Sequence, residues 1–335
     1  MSLQYWIEKY RFITCGDLGH VFQISDDIAL KCSTVQGDPR WKDESRVYDQ
    51  LERHPPCPYI VYSFFRQPDL TFMEYLPGGH LEDRLRRRQK RDAITDQVLE
   101  VYGTEPKRLI IRWMKELAAA AAWLEKLGLC HGDIRPANIL LDAHHHLKLV
   151  DFDNTAEIGS ARALGPVPYV RLLGDECEAG ADWGSGGLVG PATEQFAFGS
   201  VFYYVTRGYE PYDDQYFGKD HGPIVVDMFQ RKEFPPTDGT SDLDSIVRRC
   251  WYAEFPTMKD LAATAECLRC EDGDGDGDED EDTFLAEPPP KAMTTDFIRA
   301  RRQECRRIAA EALAAPQPQP ELEPVAVDVD DSVKG

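Results

Sequence analysis

His131-Gly132-Asp133-Ile134-Arg135-Pro136-Ala137-Asn138, followed thirteen residues after Asn138 by Asp151-Phe152-Asp153, is the stretch on which the reading of this chain turns. It sets a candidate proton acceptor, Asp133, and two candidate divalent-metal ligands, Asn138 and Asp151, on two short loops. Between them the sequence predicts a hairpin, Ile139-Leu140-Leu141 and then Leu147-Lys148-Leu149-Val150, whose apolar strands would hold the loops side by side. Phosphoryl transfer from Mg-ATP asks a protein mainly for positioning and charge neutralisation, and a carboxylate beside two metal ligands answers that need.

Outward from this stretch the chain changes character twice. Tyr10–Ile13, Val21–Ile24, Ile28–Cys32, Tyr59–Phe65 and Leu70–Met73 read as five strands. Between the third and fourth, Trp41–Leu51 has helical spacing, with Glu44 one turn before Tyr48. From Gly78-Gly79 onward helices dominate. Leu109, Ile110, Trp113, Leu117, Ala120, Ala121, Leu124 and Leu127 lie on one helical face, ended by Gly128, and this helix delivers His131. Glu194–Arg207, with Thr193 as candidate N-cap and Gly208 as terminator, is apolar almost all round and so predicts a helix buried at the centre of a lobe.

These motifs resemble the eukaryotic protein kinase family over about residues 8–267. The resemblance implies an α+β, two-lobed fold: a small, mainly β N-lobe over 8–73, a linker over 74–79 and a larger, mainly α C-lobe over 80–267. It implies ATP and Mg²⁺ as cofactors and a protein substrate. Asp133 matches the family's catalytic base, and Asn138 and Asp151 match its metal ligands. Arg135 stands where Ser/Thr-directed members usually carry a Lys that touches the transferred phosphate. Pro136, two residues before the Asn, also favours the Ser/Thr class. Lys31 on the third strand would hold the ATP phosphates and Glu44 would anchor Lys31, with Asp43 as the competing anchor. Gly16 and Gly19, in Thr14-Cys15-Gly16-Asp17-Leu18-Gly19, would cover the nucleotide. Val21, Ala29 and Leu140 would sandwich adenine, Met73 would line the pocket behind it, and backbone groups of Glu74 and Leu76 would meet its edge. Glu194 would brace the catalytic loop where the family has Asp.

The chain also departs from the family. Gly132 replaces an Arg that often precedes the catalytic Asp, leaving no cation there to capture a phosphorylated activation loop. Asp153 replaces a Gly and adds negative charge beside the metal site, and Asp17 adds another to the glycine-rich loop. No Ala-Pro-Glu closes the activation segment; Gly190-Pro191-Ala192 is the nearest match. Its usual Arg partner is also missing, with Phe255-Pro256-Thr257 in that place. Losing both halves of a buried ion pair harms a fold less than losing one. Two rival functions follow. A pseudokinase scaffold is favoured by Asp17, Asp153 and the irregular activation segment. A small-molecule kinase of the aminoglycoside or choline type shares the His-Gly-Asp and Asn spacing. The hinge-like Phe72–Gly79 stretch, Thr206–Tyr212 and Cys250-Trp251 favour a protein kinase.

Composition bounds the rest. The net charge of −21 is concentrated at one end, since residues 271–335 hold 18 acidic and 7 basic residues. Such acidity argues against nucleic acid and anionic membranes as partners. Nine scattered cysteines suit a reduced intracellular protein, cytoplasmic or nuclear, better than a disulfide framework. Cys267-Leu268-Arg269-Cys270 is a lone CxxC without the second pair a metal site needs. No secretory signal is evident in the charged first ten residues, and the longest apolar run, Leu117–Leu124, is too short to span a bilayer. His144-His145-His146 falls in the predicted hairpin turn and reads as a solvated turn rather than a metal site. Residues 268–335 read as an acidic, largely disordered tail that folds back on the domain or binds a partner. Its Asp272–Asp282 run begins like a calcium loop but has Thr283 at the twelfth position. Within the tail, 294–315 is a candidate helix with Phe297, Arg301, Ile308 and Ala312 on one side and a cluster of five arginines. Solvation of that helix is the leading expectation, and docking on an acidic surface, this chain's own acidic run included, is the other.

Overall fold

The computed structural model describes residues 3–16, 18–35, 37–162, 165–174, 184–237, 239, 241–270 and 289–315. The expectations placed on Asp17, the calcium-loop look-alike and residues 316–335 lie outside them. Helix α1 (Leu3–Lys9) leads into β1 (Arg11–Cys15), β2 (Gly19–Gln23) and β3 (Ile28–Ser33), followed by α2 (Pro39–Leu51), β4 (Ser63–Gln67) and β5 (Leu70–Glu74). The five strands make one antiparallel sheet in the order β1-β2-β3-β5-β4. Helix α2 starts at Pro39 because Asp38 caps it, its carboxylate accepting from the Arg40 N–H. Trp41, Glu44, Tyr48 and Leu51, three to four residues apart, form its buried face.

The predicted fourth strand is displaced. Tyr59–Val61 pairs with the other lobe instead, the Leu149 N–H donating to Tyr59 O at 2.9 Å and the Val61 N–H to Leu149 O at 3.1 Å. A register shift between Ser63 and Phe65 then starts β4 against β5. An unbroken apolar run can serve two sheets in succession, and its pattern does not show where it changes partner.

The C-lobe contains β6 (Gly79–His80), α3 (Leu81–Arg86), β7 (Gln89–Arg91), β8 (Val98–Val101), α4 (Lys107–Lys126), β9 (Leu129–Cys130), a 3₁₀ turn over Pro136–Asn138, β10 (Ile139–Leu141), β11 (Leu147–Leu149) and β12 (Ala156–Glu157). Helices α5 (Pro191–Arg207), α6 (His221–Gln230), α7 (Asp242–Trp251) and α8 (Met258–Glu266) complete it. The architecture is thus the expected α+β, two-lobed one. In α5 every residue from Thr193 to Val205 is buried. The helix begins at Pro191, so Thr193 is not its N-cap. From inside the first turn the Thr193 hydroxyl accepts the Gly190 N–H at 3.0 Å and donates to Gly190 O at 2.8 Å. Gly208 ends α5 in the left-handed conformation with φ of 80°.

Helix α9 (Thr295–Ala314) overturns the expectation of a solvated helix. Cys305, Ile308, Ala309 and Ala312 are buried in one cluster with Trp6 of α1 and with Phe22, Leu30, Phe64 and Phe72 of the sheet. The helix therefore covers the sheet face turned away from the C-lobe. Its attachment is mainly apolar, with ion pairs at the margin from Arg301 to Asp27 and from Arg302 to Glu52. The side read from the sequence, with Phe297, Ile308 and Ala312, is the one that packs; what the sequence did not show is the sheet it packs on. Among the described residues no helix is long and apolar enough to cross a membrane.

Candidate functional site

Two structural devices bring Lys31 to the cleft between the lobes. Strand β3 is paired on both sides, which fixes its side-chain alternation, and α2 lays Glu44 beneath it. Lys31 Nζ donates to Glu44 at 3.0 and 3.2 Å and to Asp151 Oδ1 at 2.8 Å. Burial alone would lower the pKa of Lys31, but the two carboxylates outweigh it and hold the amine above its ordinary value, fully charged. Burial pushes Asp151 up and Lys31 pulls it down further, leaving it below the usual carboxylate range. Asp43, the competing anchor, pairs with Arg46 on the exposed side of α2 instead.

The hairpin β10–β11 sets the second half of the site, in the register Ile139 to Leu149. Asn138 donates from Nδ2 to Asp133 O at 2.9 Å and to Asp133 Oδ2 at 2.7 Å, and Arg135 Nε reaches the same Oδ2 at 3.1 Å. With Nδ2 spent on Asp133, Asn138 keeps its carbonyl oxygen for another partner. Asp133 Oδ1 is buried and has no hydrogen-bond partner among the described residues. Over it lies Gly165, where a Cβ would stand 2.1 Å from that oxygen. No larger residue fits there without displacing the carboxylate.

His131 is fully buried, with Nε2 at 3.0 Å from Val150 O and Nδ1 accepting the Asp133 N–H at 3.3 Å. Burial lowers its pKa, so the ring is neutral and structural rather than a proton shuttle. Phe152 meets His131 and Tyr48 of α2 edge-on, with ring centroids 5.1 and 5.4 Å away, and so links the loop after β11 to both lobes. Glu194, at the start of α5, accepts the backbone N–H groups of His131 at 2.8 Å and Gly132 at 3.0 Å. Burial raises its pKa to about 7 despite those two donors.

Gly132 has a physical reason beyond the missing cation. Its φ is +81°, and a Cβ there would stand 2.4 Å from Asn154 O, so an Arg could not occupy this backbone. Asp153, half-buried near Asp151, is pushed up to about 6, by burial first and by the Asp151 charge second. Gly19 owes its identity to the sheet, because a Cβ would stand 2.3 Å from Cys32 O on β3. Gly16 is exposed at the turn and closes it, its N–H donating to Gly19 O at 2.9 Å.

Ala29 is buried, while Val21, Met73 and Leu140 are partly exposed; Val21 and Ala29 pair with Lys31 and Met73 across the sheet. In the linker the Glu74 N–H is spent on Tyr62 O and its side chain on Lys148 Nζ at 3.0 Å. The Leu76 N–H meets no acceptor among the described residues, an orphaned donor of the kind an adenine ring nitrogen satisfies. One carboxylate and one amide oxygen are too few for a resident Mg²⁺ but fit one delivered with phosphate oxygens. Among the described residues no cluster of three His, Cys, Asp or Glu could hold a metal by itself.

Sequence reasoning missed several parts. Lys148 is fully buried on Glu74, and a Lys between two strand leucines was the available signal. Gln195 bonds the Phe255 backbone through both N–H and C=O, at 3.1 and 3.0 Å, bracing the place where an ion pair is absent. Arg162 donates to Asp153 O at 2.6 Å and Thr155 O at 3.2 Å, holding the loop after Asp151. No sequence signal marked Gly165. The histidine turn needs correction: His146 is buried, 2.5 Å from Glu116, because Glu116 also accepts the Leu147 N–H and draws the turn inward.

The family model described as the protein kinase domain matches residues 7–255. The chain is 26% identical over 181 residues to maternal embryonic leucine zipper kinase of Xenopus laevis, covering 52% of this chain and 25% of that protein. It is 27% identical over 157 residues to mitogen-activated protein kinase kinase 9 of Arabidopsis thaliana, covering 44% and 45%. It is 29% identical over 210 residues to serine/threonine-protein kinases drp72 of Corynebacterium efficiens, covering 60% and 35%. The matched stretches span less than half the length of each of these relatives.

Proposed function

This chain belongs to the protein kinase family, and from that membership and the geometry of its cleft we propose that it transfers the γ-phosphate of ATP to Ser or Thr hydroxyls of a protein. The observation that carries the reading is the meeting of Lys31 and Asp151, 120 residues apart, at 2.8 Å with Glu44 on the same amine. Lys31, kept charged, holds phosphate oxygens. Asp133 accepts the proton of the incoming hydroxyl through a carboxylate that Asn138 and Arg135 orient from one side. Arg135 also offers the transferring group a positive charge. Asn138 and Asp151 would hold Mg²⁺, which supplies charge neutralisation at the phosphates when bound. Adenine lies between Val21, Ala29 and Leu140, with Met73 behind and the Glu74–Leu76 backbone at its edge. Gly16 and Gly19 form the turn above it.

A second reading, a nucleotide-binding scaffold without turnover, is supported by Gly165 over Asp133 and by the Asp153 charge beside Asp151. Incubation with labelled Mg-ATP, a mixed protein and peptide panel and a panel of aminoglycosides and choline separates the possibilities. Phosphoserine or phosphothreonine is expected. Labelled metabolites alone would replace this reading with that of a small-molecule kinase, and no labelled acceptor would favour the scaffold.

A further inference from the structure

We propose that Arg302, on α9, is a positioning residue for the site: it ties the end of α2 to β4 and so holds Glu44 against Lys31. The proposal rests on the kinase reading of the cleft. Arg302 Nε donates to Phe64 O at 2.9 Å and Nη2 to Glu52 Oε2 at 3.3 Å. Phe64 lies at the register shift of β4, an edge strand, so its carbonyl faces away from the β5 ladder and is open to an outside donor. Glu52 is the C-cap residue of α2, two turns beyond Glu44.

The same Glu52 carboxylate takes Arg66 of β4 on its other oxygen, and Arg66 also reaches Asp49 of α2 and Ser63 of β4. Its guanidinium lies 5.4 Å from the centroid of the Tyr48 ring, and that ring packs on Phe152, next to Asp151. One network therefore joins α9 to α2, β4 and the metal-ligand loop. Helix α2 otherwise holds to the C-lobe through Tyr48, Leu51 and the bond from Gln50 to Leu127 O. Arg66 also joins this end of α2 to β4, so without the Arg302 contact one guanidinium of two is left to hold it, and Glu44 is pressed less firmly against β3.

Arg302 and Glu52 are partly exposed, so their pair contributes little to folding, whereas a small tilt of α2 is felt at Lys31. That asymmetry makes the proposal testable in the full chain. Arg302→Ala should lower kcat/KM for ATP about tenfold while keeping Tm within about 4 °C of the wild type. In a Glu44→Gln background the same change should cost nothing further, because Arg302 acts through the Glu44–Lys31 pair. Equal losses in both backgrounds, or wild-type kinetics for Arg302→Ala, would overturn the proposal. If the wild type shows no turnover the kinase reading fails separately, and amide exchange in nucleotide-free protein decides instead. Faster exchange over residues 44–51 in Arg302→Ala, with α9 unchanged, supports the brace; unchanged exchange in α2 overturns it.

Discussion

The two hydrophobic clusters of this molecule are assembled in different ways. The larger one draws on residues 48–268 and holds α4, α5, α7 and α8 around the β10–β11 hairpin. The smaller one joins residues 6–72 to residues 305–312, so the face of the N-lobe sheet remote from the C-lobe is completed only by the helix beyond the acidic run. The first cluster positions Asp133, Asn138 and Asp151; the second backs the strand that carries Lys31. The site therefore depends on two packing units of unlike origin, and the smaller one needs a part of the chain far from any chemical motif.

Ending the chain after Pro290 puts this comparison under the heaviest load. It would strip cover from Trp6, Phe22, Leu30, Phe64 and Phe72, so loss of soluble, cooperatively melting protein is expected. A truncated chain that melts like the full one would return α9 to the solvated helix expected from the sequence. Within the helix, Ile308→Ala should cost about 2–5 kcal/mol in denaturant unfolding, as for a buried aliphatic side chain. A loss below about 0.5 kcal/mol would mark a solvated helix.

Glu194 tests the larger cluster by pH. Its folded-state pKa of about 7 stands above the ordinary value of 4.5, so its contribution to stability is full below pH 4.5 and lost as pH rises through about 7. Stability relative to Glu194→Gln should fall by up to about 3 kcal/mol between those limits. A flat difference would mean that Glu194 titrates at its ordinary value in the fold. The smallest effect is expected on the outer side of α9, where Arg299 and Asp296 form an exposed pair. Arg299→Ala should change stability by less than about 0.5 kcal/mol, since such pairs are weak.

The contrast between the clusters also explains what could be read in advance. The residues proposed for the cleft could be picked out because phosphoryl transfer would demand particular types: a Lys on a strand, an Asp and an Asn five residues apart, an Asp before a Phe. The hairpin and the buried helix α5 were legible from their apolar patterns. What stayed hidden depends on tertiary partners. Gly165 signals nothing until the Asp133 carboxylate is seen beneath it. His146 looks like part of a polar turn until Glu116 draws it inward. Helix α9 shows its apolar side in the sequence but not what that side meets, because the partner surface lies more than 230 residues earlier in the chain, as the Arg302–Phe64 separation of 238 shows.

The most direct measurement compares wild type, Asp133→Asn and Asp151→Asn for nucleotide binding with and without Mg²⁺ and, in parallel, for phosphate transfer to a protein acceptor. Asp133→Asn should bind Mg-ATP almost as the wild type does yet turn over roughly 10²–10⁴ times more slowly, the range for losing a positioned base. Asp151→Asn should lose Mg²⁺-dependent binding and turnover together. If Asp133→Asn phosphorylates the same acceptors as fast as the wild type, Asp133 is not the base and the account of this site as a phosphotransferase centre is contradicted.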